Sequence, residues 1–333
     1  MTVHVLVIGG GQNAEHDVSL ASAAAVAAAL RMGDHTVTCV TIDREGIWRA
    51  DGIRAGISAA ESLALVMPLI AQADVVFPAV HGAPGEDGAL AALCALAGAR
   101  VVGSGLRAGA LGMDKWATKL VADAVGIRTA RGRVVSADDI GDLEFDDVLL
   151  DGSRSGGAVV VKPVSAGSSH GVALVREEAE LLPALRAAAR LDRRLLVEEV
   201  VRGREIDVAV LCEAGGIRWA APPLEIHAEG LFDTATKYDG TARFTVPAQL
   251  AADELTGLTR AALAMFDALG CGGLARMDFF LTDEGPVLNE VNTMPGLTAA
   301  SQAPRMFAAA GVAYPDLVAR LVKGAKVPGA LGP

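Results

Sequence analysis

Short apolar runs alternate with amphipathic stretches over the first hundred residues. Residues 4–8, 36–42 and 74–80 are rich in Val, Ile and Thr and too short for helices. Each therefore predicts a strand. The alanine-rich stretch 18–31 and residues 88–97 predict helices, and 100–102 a fourth strand. Strands separated by helices build a parallel sheet covered on both faces. Ligands of such sheets sit in the loops beyond the carboxyl ends of the strands. Those loops are 9–19 and 81–88, both polar and glycine-rich.

Beyond residue 104 the pattern changes. Residues 113–125, 177–190, 250–269 and 315–323 predict helices, and strands are expected at 131–135, 158–162, 172–175, 194–201, 205–212, 218–226, 274–281 and 287–291. Domain boundaries are expected near 103 and 195, giving units of 1–103, 104–195 and 196–333. The last two strands flank the turn Thr282-Asp-Glu-Gly-Pro286, which marks a hairpin. Side chains two apart share a face of a strand. With the turn centred on Glu284, Asp278 faces Glu290 and Arg276 faces Asn292.

Composition narrows the class. The chain has 333 residues, 52% of them hydrophobic, enough for more than one core, and a net charge of −11 with both signs mixed along it. No concentrated basic surface suggests a nucleic-acid backbone as partner. No apolar stretch approaches the roughly 20 residues of a membrane span, so a cytoplasmic protein is expected. The four cysteines are scattered without a C-x-x-C pair and read as ordinary buried thiols.

Opposed carboxylates destabilise a sheet unless a cation lies between them. The oxygen set Asp278, Glu290 and Asn292 suits Mg²⁺, and a solvated charged face is the other reading of these residues alone. Lys162 ends an apolar strand before the Gly/Ser loop 163–171, an arrangement that can fold over a nucleotide's phosphates. Lys115 opens a helix, and Glu198, Glu199 and Glu205 cluster between two strands, where they could meet an adenine amino group and ribose hydroxyls.

Together these segments resemble the D-alanine–D-alanine ligase family of the ATP-grasp superfamily. The resemblance runs nearly end to end, through segment 9–19, His81-Gly-Ala-Pro-Gly-Glu-Asp-Gly88, Gly103-Ser-Gly105, Met113-Asp-Lys115 and segment 161–171. It continues through Val197-Glu-Glu199, Gly203-Arg-Glu205, Lys237-Tyr238, Ala275-Arg-Met-Asp278 and Asn289-Glu-Val-Asn-Thr-Met-Pro-Gly-Leu-Thr298. It implies an α/β fold with a Rossmann-like parallel-sheet domain followed by a two-lobed ATP-grasp fold. It also implies a homodimer, and ATP-dependent joining of two D-alanines through an acyl phosphate, for peptidoglycan precursor synthesis.

By that resemblance Glu15 holds the ammonium group of the first amino acid, with His81 beside it, and Ser168 and Tyr238 link to Glu15 to close a lid. Lys115 and Lys162 meet the ATP phosphates. Glu198, Glu199 and Val201 lie at the adenine, and Glu205 at the ribose. Asp278, Glu290 and Asn292 bind two Mg²⁺ ions, which Mn²⁺ could replace. Arg276 and the Gly296 N–H face the oxyanion, and Ser301 and Lys237 receive the second carboxylate. The chain departs from the family's pattern at Thr234 and Thr236 in the lid, and at His170 in the phosphate loop.

Three other readings compete with this one. One is a paralogue joining a different D-amino acid pair for antibiotic production or self-resistance. A regulator without catalysis would lack the Arg276, Asp278, Glu290 and Asn292 set, which is present. An NAD-dependent dehydrogenase needs G-x-G-x-x-G, which Gly9-Gly10-Gly11 does not supply.

Overall fold

The structure, a computed structural model, describes residues 2–50, 58–142, 157–227 and 243–327. Strand β1 (His4–Gly10) is buried from Val5 onward and pairs in parallel with β2 (Thr36–Ile42) and β4 (Val75–Pro78). The short β3 (Trp48–Ala50) adds an antiparallel edge, giving the order β3-β2-β1-β4. Helices α1 (His16–Met32), α2 (Ala59–Gln72) and α3 (Ala89–Leu96) complete this unit. The expected strand at 100–102 is reduced to bridges from Val101, parallel to Val76 and antiparallel to Lys326. The chain turns sharply after β1, where Gly10 has φ +85° and a Cβ would lie 2.1 Å from the Ile42 carbonyl.

Helices α4 (Leu106–Met113) and α5 (Lys115–Ala124) lead into the second sheet. It is built from β5 (Gly132–Ser136), β6 (Val159–Pro163), β7 (Ala173–Val175) and β8 (Arg194–Glu199), antiparallel in the order β5-β8-β6-β7. Helix α6 (Glu178–Ala188) packs Leu181 and Leu185 onto Val159, Val161, Leu195 and Val197. Strand β8 lies wholly in this sheet, so a division by sheets falls between Glu199 and Arg204. The boundary expected near 195 would cut the strand.

The third sheet has the order β12-β11-β9-β13-β14, with β10 on the side of β9. Its strands are β9 (Arg204–Cys212), β10 (Arg218–Ala220), β11 (Leu224–His227), β12 (Arg243–Thr245), β13 (Leu274–Thr282) and β14 (Gly285–Asn292). The run 218–226, expected as one strand, is broken at 221–223, which contains Pro222-Pro223. Helix α7 (Ala252–Leu269) buries Leu258, Ala261, Ala262, Met265, Phe266 and Leu269, the spacing of one helical face, against the underside of β13. Each large side chain so buried contributes roughly 1.5–3 kcal/mol. Helices α8 (Gln302–Ala309) and α9 (Tyr314–Lys323) instead return to the first sheet. Met306, Phe307, Leu317 and Leu321 share one core with Val5, Val7 and Phe77.

Of the four thiols expected to be buried only Cys94 is; Cys212 and Cys271 are half-buried and Cys39 is exposed. Val40 and Ile42 take the buried face of β2, and Cys39 is exposed, accepting from Arg31 Nη2 at 3.4 Å. Burial pushes the Cys94 and Cys271 thiols up to about 12.

Candidate active site

Strand β13 alternates. Ala275, Met277, Phe279 and Leu281 point down onto α7, which leaves Arg276 and Asp278 on the opposite face. The register pairs Asp278 with Glu290 and Arg276 with Asn292, as the sequence predicts, but by a different route. The hairpin closes at Thr282 and Gly285, so the turn is centred one half-step before Glu284. A bulge at Asn289, between the pairs Phe279–Leu288 and Asp278–Glu290, restores the offset. On the other side of β13, Asp207 of β9 pairs with Asp278, so three acids stand in a row across three strands. Asp207 was not anticipated, because its pairing with Asp278 arises between strands far apart in sequence.

Arg276 offsets this row. Its Nε and Nη2 donate to Asp278 at 2.6 and 2.7 Å, and its Nε lies 3.4 Å from Asp207 Oδ2. Its Nη1 donates to Gln302 Oε1 at 2.7 Å, and Asn292 Nδ2 donates to Asp278 at 3.0 Å. Burial alone would lower the guanidinium's pKa, but Asp278 and Asp207 outweigh it and raise it. Among the described residues no three acidic, His or Cys side chains converge as a closed metal cage. The donor chemistry still fits Mg²⁺, which takes oxygen ligands and keeps waters and phosphate oxygens in its shell. Lys115 Nζ lies 4.0 Å from Glu290 Oε2, a cation the sequence did not place there.

A cavity of about 560 Å³ opens between the second and third sheets, lined by Lys115, Lys162, Glu198, Glu199, Val201, Glu205, Asp278 and Glu290 among others. Glu198, expected at the adenine, has its two oxygens on two buried lysines: Lys162 on one side, and Lys119 at 2.8 Å on the other. Burial would raise the Glu198 carboxyl, but the two ammonium groups hold it below the usual carboxylate range. Lys162 Nζ also donates to Asn289 Oδ1 at 3.4 Å, so the bulge sets a dipole beside it. Glu199 accepts from the Arg131 N–H at 2.9 Å, and Lys115 donates to the Ala166 carbonyl at 2.6 Å. Lys119 was missed, although it follows Lys115 by four residues and so shares its helix face.

At the other end of the cleft, Glu15 precedes α1 and accepts a hydrogen bond from Ser168 Oγ. Ser168 and Ser169 have φ values of +50° and +57°, so the phosphate loop reaches Glu15 through two left-handed serines. His170 sits in the same turn, its N–H donating to the Gly167 carbonyl at 3.1 Å. His81 is 3% exposed. Its Nδ1 donates to the Met294 carbonyl at 2.8 Å, and its Nε2 lies 2.8 Å from Ser22 Oγ. Glu86 Oε1 is 3.8 Å from Nδ1. Burial would lower the imidazole's pKa, but Glu86 and the Met294 carbonyl raise it; burial also raises Glu86. Glu86 belongs to the motif at 81–88, where the sequence alone assigns it no role. Gly296 faces Ser301, and a Cβ there would sit 2.9 Å from Ser301 Oγ, which also accepts from the Thr298 N–H at 3.1 Å. Lys237, Tyr238, Thr234 and Thr236 lie outside the described residues.

Three comparisons bear on this arrangement. The family models described as D-ala D-ala ligase N-terminus and C-terminus match residues 4–104 and 125–323. A D-alanine–D-alanine ligase of Mycolicibacterium gilvum is 38% identical over 360 residues, covering 97% of each chain. The solved D-alanine-D-alanine ligase of Coxiella burnetii superposes with TM-score 0.80 at 31% identity, covering 97% of this chain and 95% of that one. The Bacillus anthracis D-alanine–D-alanine ligase, solved in complex with ATP, superposes with TM-score 0.78 at 26% identity over 97% of each chain.

Proposed function

The chain belongs to the D-alanine–D-alanine ligase family, and on that premise we propose that it joins two D-alanine molecules at the expense of ATP. The observation that carries this reading is the oxygen set Asp278, Glu290 and Asn292 beside Arg276, next to the lysine-lined cavity. A carboxylate is a poor acyl donor, so ATP first converts that of the first D-alanine to an acyl phosphate. The amine of the second then attacks, and phosphate leaves.

In this reading Glu15 holds the first ammonium group, with His81 beside it. Lys115 and Lys162 neutralise the phosphates. Glu198, Glu199 and Val201 bound the adenine region and Glu205 the ribose. Asp278, Glu290 and Asn292 would hold the Mg²⁺ ions, whose chemistry is to neutralise charge on the transferring phosphoryl group. Arg276 and the Gly296 N–H face the developing oxyanion, where preformed donors act most strongly. Ser301 and Lys237 take the second carboxylate. Tyr238, through Ser168 and Glu15, closes the lid that keeps water from the acyl phosphate.

The proposal extends to three units, at 1–103, 104–199 and 200–333, to a homodimer through the first, and to a cytoplasmic role in peptidoglycan precursor synthesis. Among the described residues no helix is long and apolar enough to cross a membrane. The curated relatives, matched over nearly their whole length, are named for the D-alanine pair. One structural neighbour at 29% identity is a D-Ala:D-Ser ligase of Enterococcus faecalis. The curated matches favour the D-alanine pair over the paralogue reading. The test is phosphate release from ATP with each D- and L-amino acid, alone and in pairs, with the dipeptide identified by mass. D-alanine alone should drive stoichiometric release. Release that ignores D-alanine, or that needs a different amino acid, overturns the reading.

A further inference from the structure

We propose that Lys119 is a positioning residue for ATP: by holding one oxygen of Glu198 from behind, it leaves Lys162 free to present its charge to the nucleotide's phosphates. Lys119, Lys162 and Glu198 are 7%, 6% and 4% exposed, so their mutual charge balance is set inside the protein with little water to screen it. Two ammonium groups share one carboxylate, and the cluster keeps one net positive charge. Lys162 lines the cavity; Lys119 lines instead a neighbouring one, which meets the first along Glu199–Arg202. Lys119 reaches Glu198 Oε2 at 2.8 Å from α5, anchored by donation to the Ala130 carbonyl at 2.8 Å. Without Lys119, Glu198 and Lys162 would form a neutral pair, and a buried pair has no net attraction left for a polyphosphate. Asn289, the other group on Lys162, is a neutral amide and cannot replace the missing charge. The position of Lys119 one helical turn past Lys115 places the two lysines on one face with different tasks, Lys115 at the cavity and Lys119 behind it.

The proposal rests on the ATP-binding reading of the cavity, and wild-type protein that binds neither ATP nor adenosine would refute that reading rather than this one. The experiment measures ATP and adenosine affinity by calorimetry and competition, and takes their ratio, since adenosine has no phosphates. Lys119→Met should lower the ratio about tenfold or more, the scale of one charged hydrogen bond. Adding Glu198→Gln to it should restore the ratio, because the carboxylate that neutralised Lys162 is gone. An unchanged ratio in Lys119→Met overturns the proposal. So does a fallen ratio that the double variant does not recover, which would make Lys119 a structural residue. Should Lys119→Met fail to fold, Glu198→Gln alone decides. The ratio should rise at least threefold or so with both lysines unopposed, and a ratio that stays or falls overturns the assignment.

Discussion

The two ends of the cleft bury charge in different ways. At the nucleotide end, Lys119, Lys162 and Glu198 come from α5, β6 and β8, and ion pairs hold them together. At the amino-acid end, Glu15, Ser22, His81 and Glu86 come from the first unit, and besides the contacts of His81 with Ser22 and Glu86 they take three partners from outside it. Ser168 of the phosphate loop meets Glu15, the Met294 carbonyl meets His81, and the Leu297 N–H donates to Ser22 Oγ at 3.2 Å. The nucleotide end is therefore assembled by the helix and sheet around it. The amino-acid end also takes contacts from beyond the first unit.

The hairpin where the two ends meet should show the largest effect. Asp278→Asn or Glu290→Gln should cut turnover by about 10²-fold or more, the scale for lost transition-state electrostatics, with an unchanged far-UV circular dichroism spectrum. Near-normal turnover of both variants in metal-stripped buffer would separate the acid row from catalysis. Next comes the contact that ties the phosphate loop to the first unit. Ser168→Ala should slow turnover by about tenfold to a hundredfold, since it removes a hydrogen bond to a charged group. It should also raise phosphate released per dipeptide formed, and a ratio that stays at unity would assign Ser168 to packing.

Glu15→Gln sharpens the contrast between the ends. The KM for D-alanine at the first subsite should rise about tenfold, while calorimetric ATP affinity stays within about twofold. The opposite pattern would move Glu15 to the nucleotide end. The smallest effect concerns pH. A carbonyl can only accept, so His81 Nδ1 carries a proton in both states and Nε2 is the atom that titrates. Its pKa is raised above the usual 6.5, so stability from protonated His81 is fully present below that pH and is lost as pH rises through the raised value. The Tm of wild type should exceed that of His81→Asn by a few degrees at acidic pH, and the gap should narrow toward alkaline pH. A gap that widens with pH would show that the neutral imidazole is the stabilising form.

Much of the scaffold is legible in the sequence because local rules decide it. The runs that form β1, β2, β6, β9 and β13 are short and apolar. The α7 stretch repeats at helical spacing, and the turn before Gly285 announces the hairpin. What failed locally failed for tertiary reasons. The triplet at 100–102 has strand composition, yet only Val101 finds partners, one of them Lys326 near the other end of the described chain. The three-residue β3 is too short to stand out from its surroundings, and pairing with β2 alone makes it a strand.

The site divides the same way. Side chains two apart on a strand share a face wherever the strand goes, so Arg276 with Asp278, and Glu290 with Asn292, were determined by the sequence alone. Their mutual pairing was not. A two-residue turn places the strands half a step out, and only the bulge at Asn289, formed as β14 settles beside β13, brings the two carboxylates opposite each other. Likewise the identities of Lys162 and Glu198 are plain in their segments. That Lys119 reaches the same carboxylate, and that Asp207 extends the acid row, depends on a helix meeting a sheet and on strands joined across long intervals. Sequence determines which groups each element offers to a face. Tertiary structure decides which offered charges meet, because low exposure makes those meetings strong enough to set the state of every group involved.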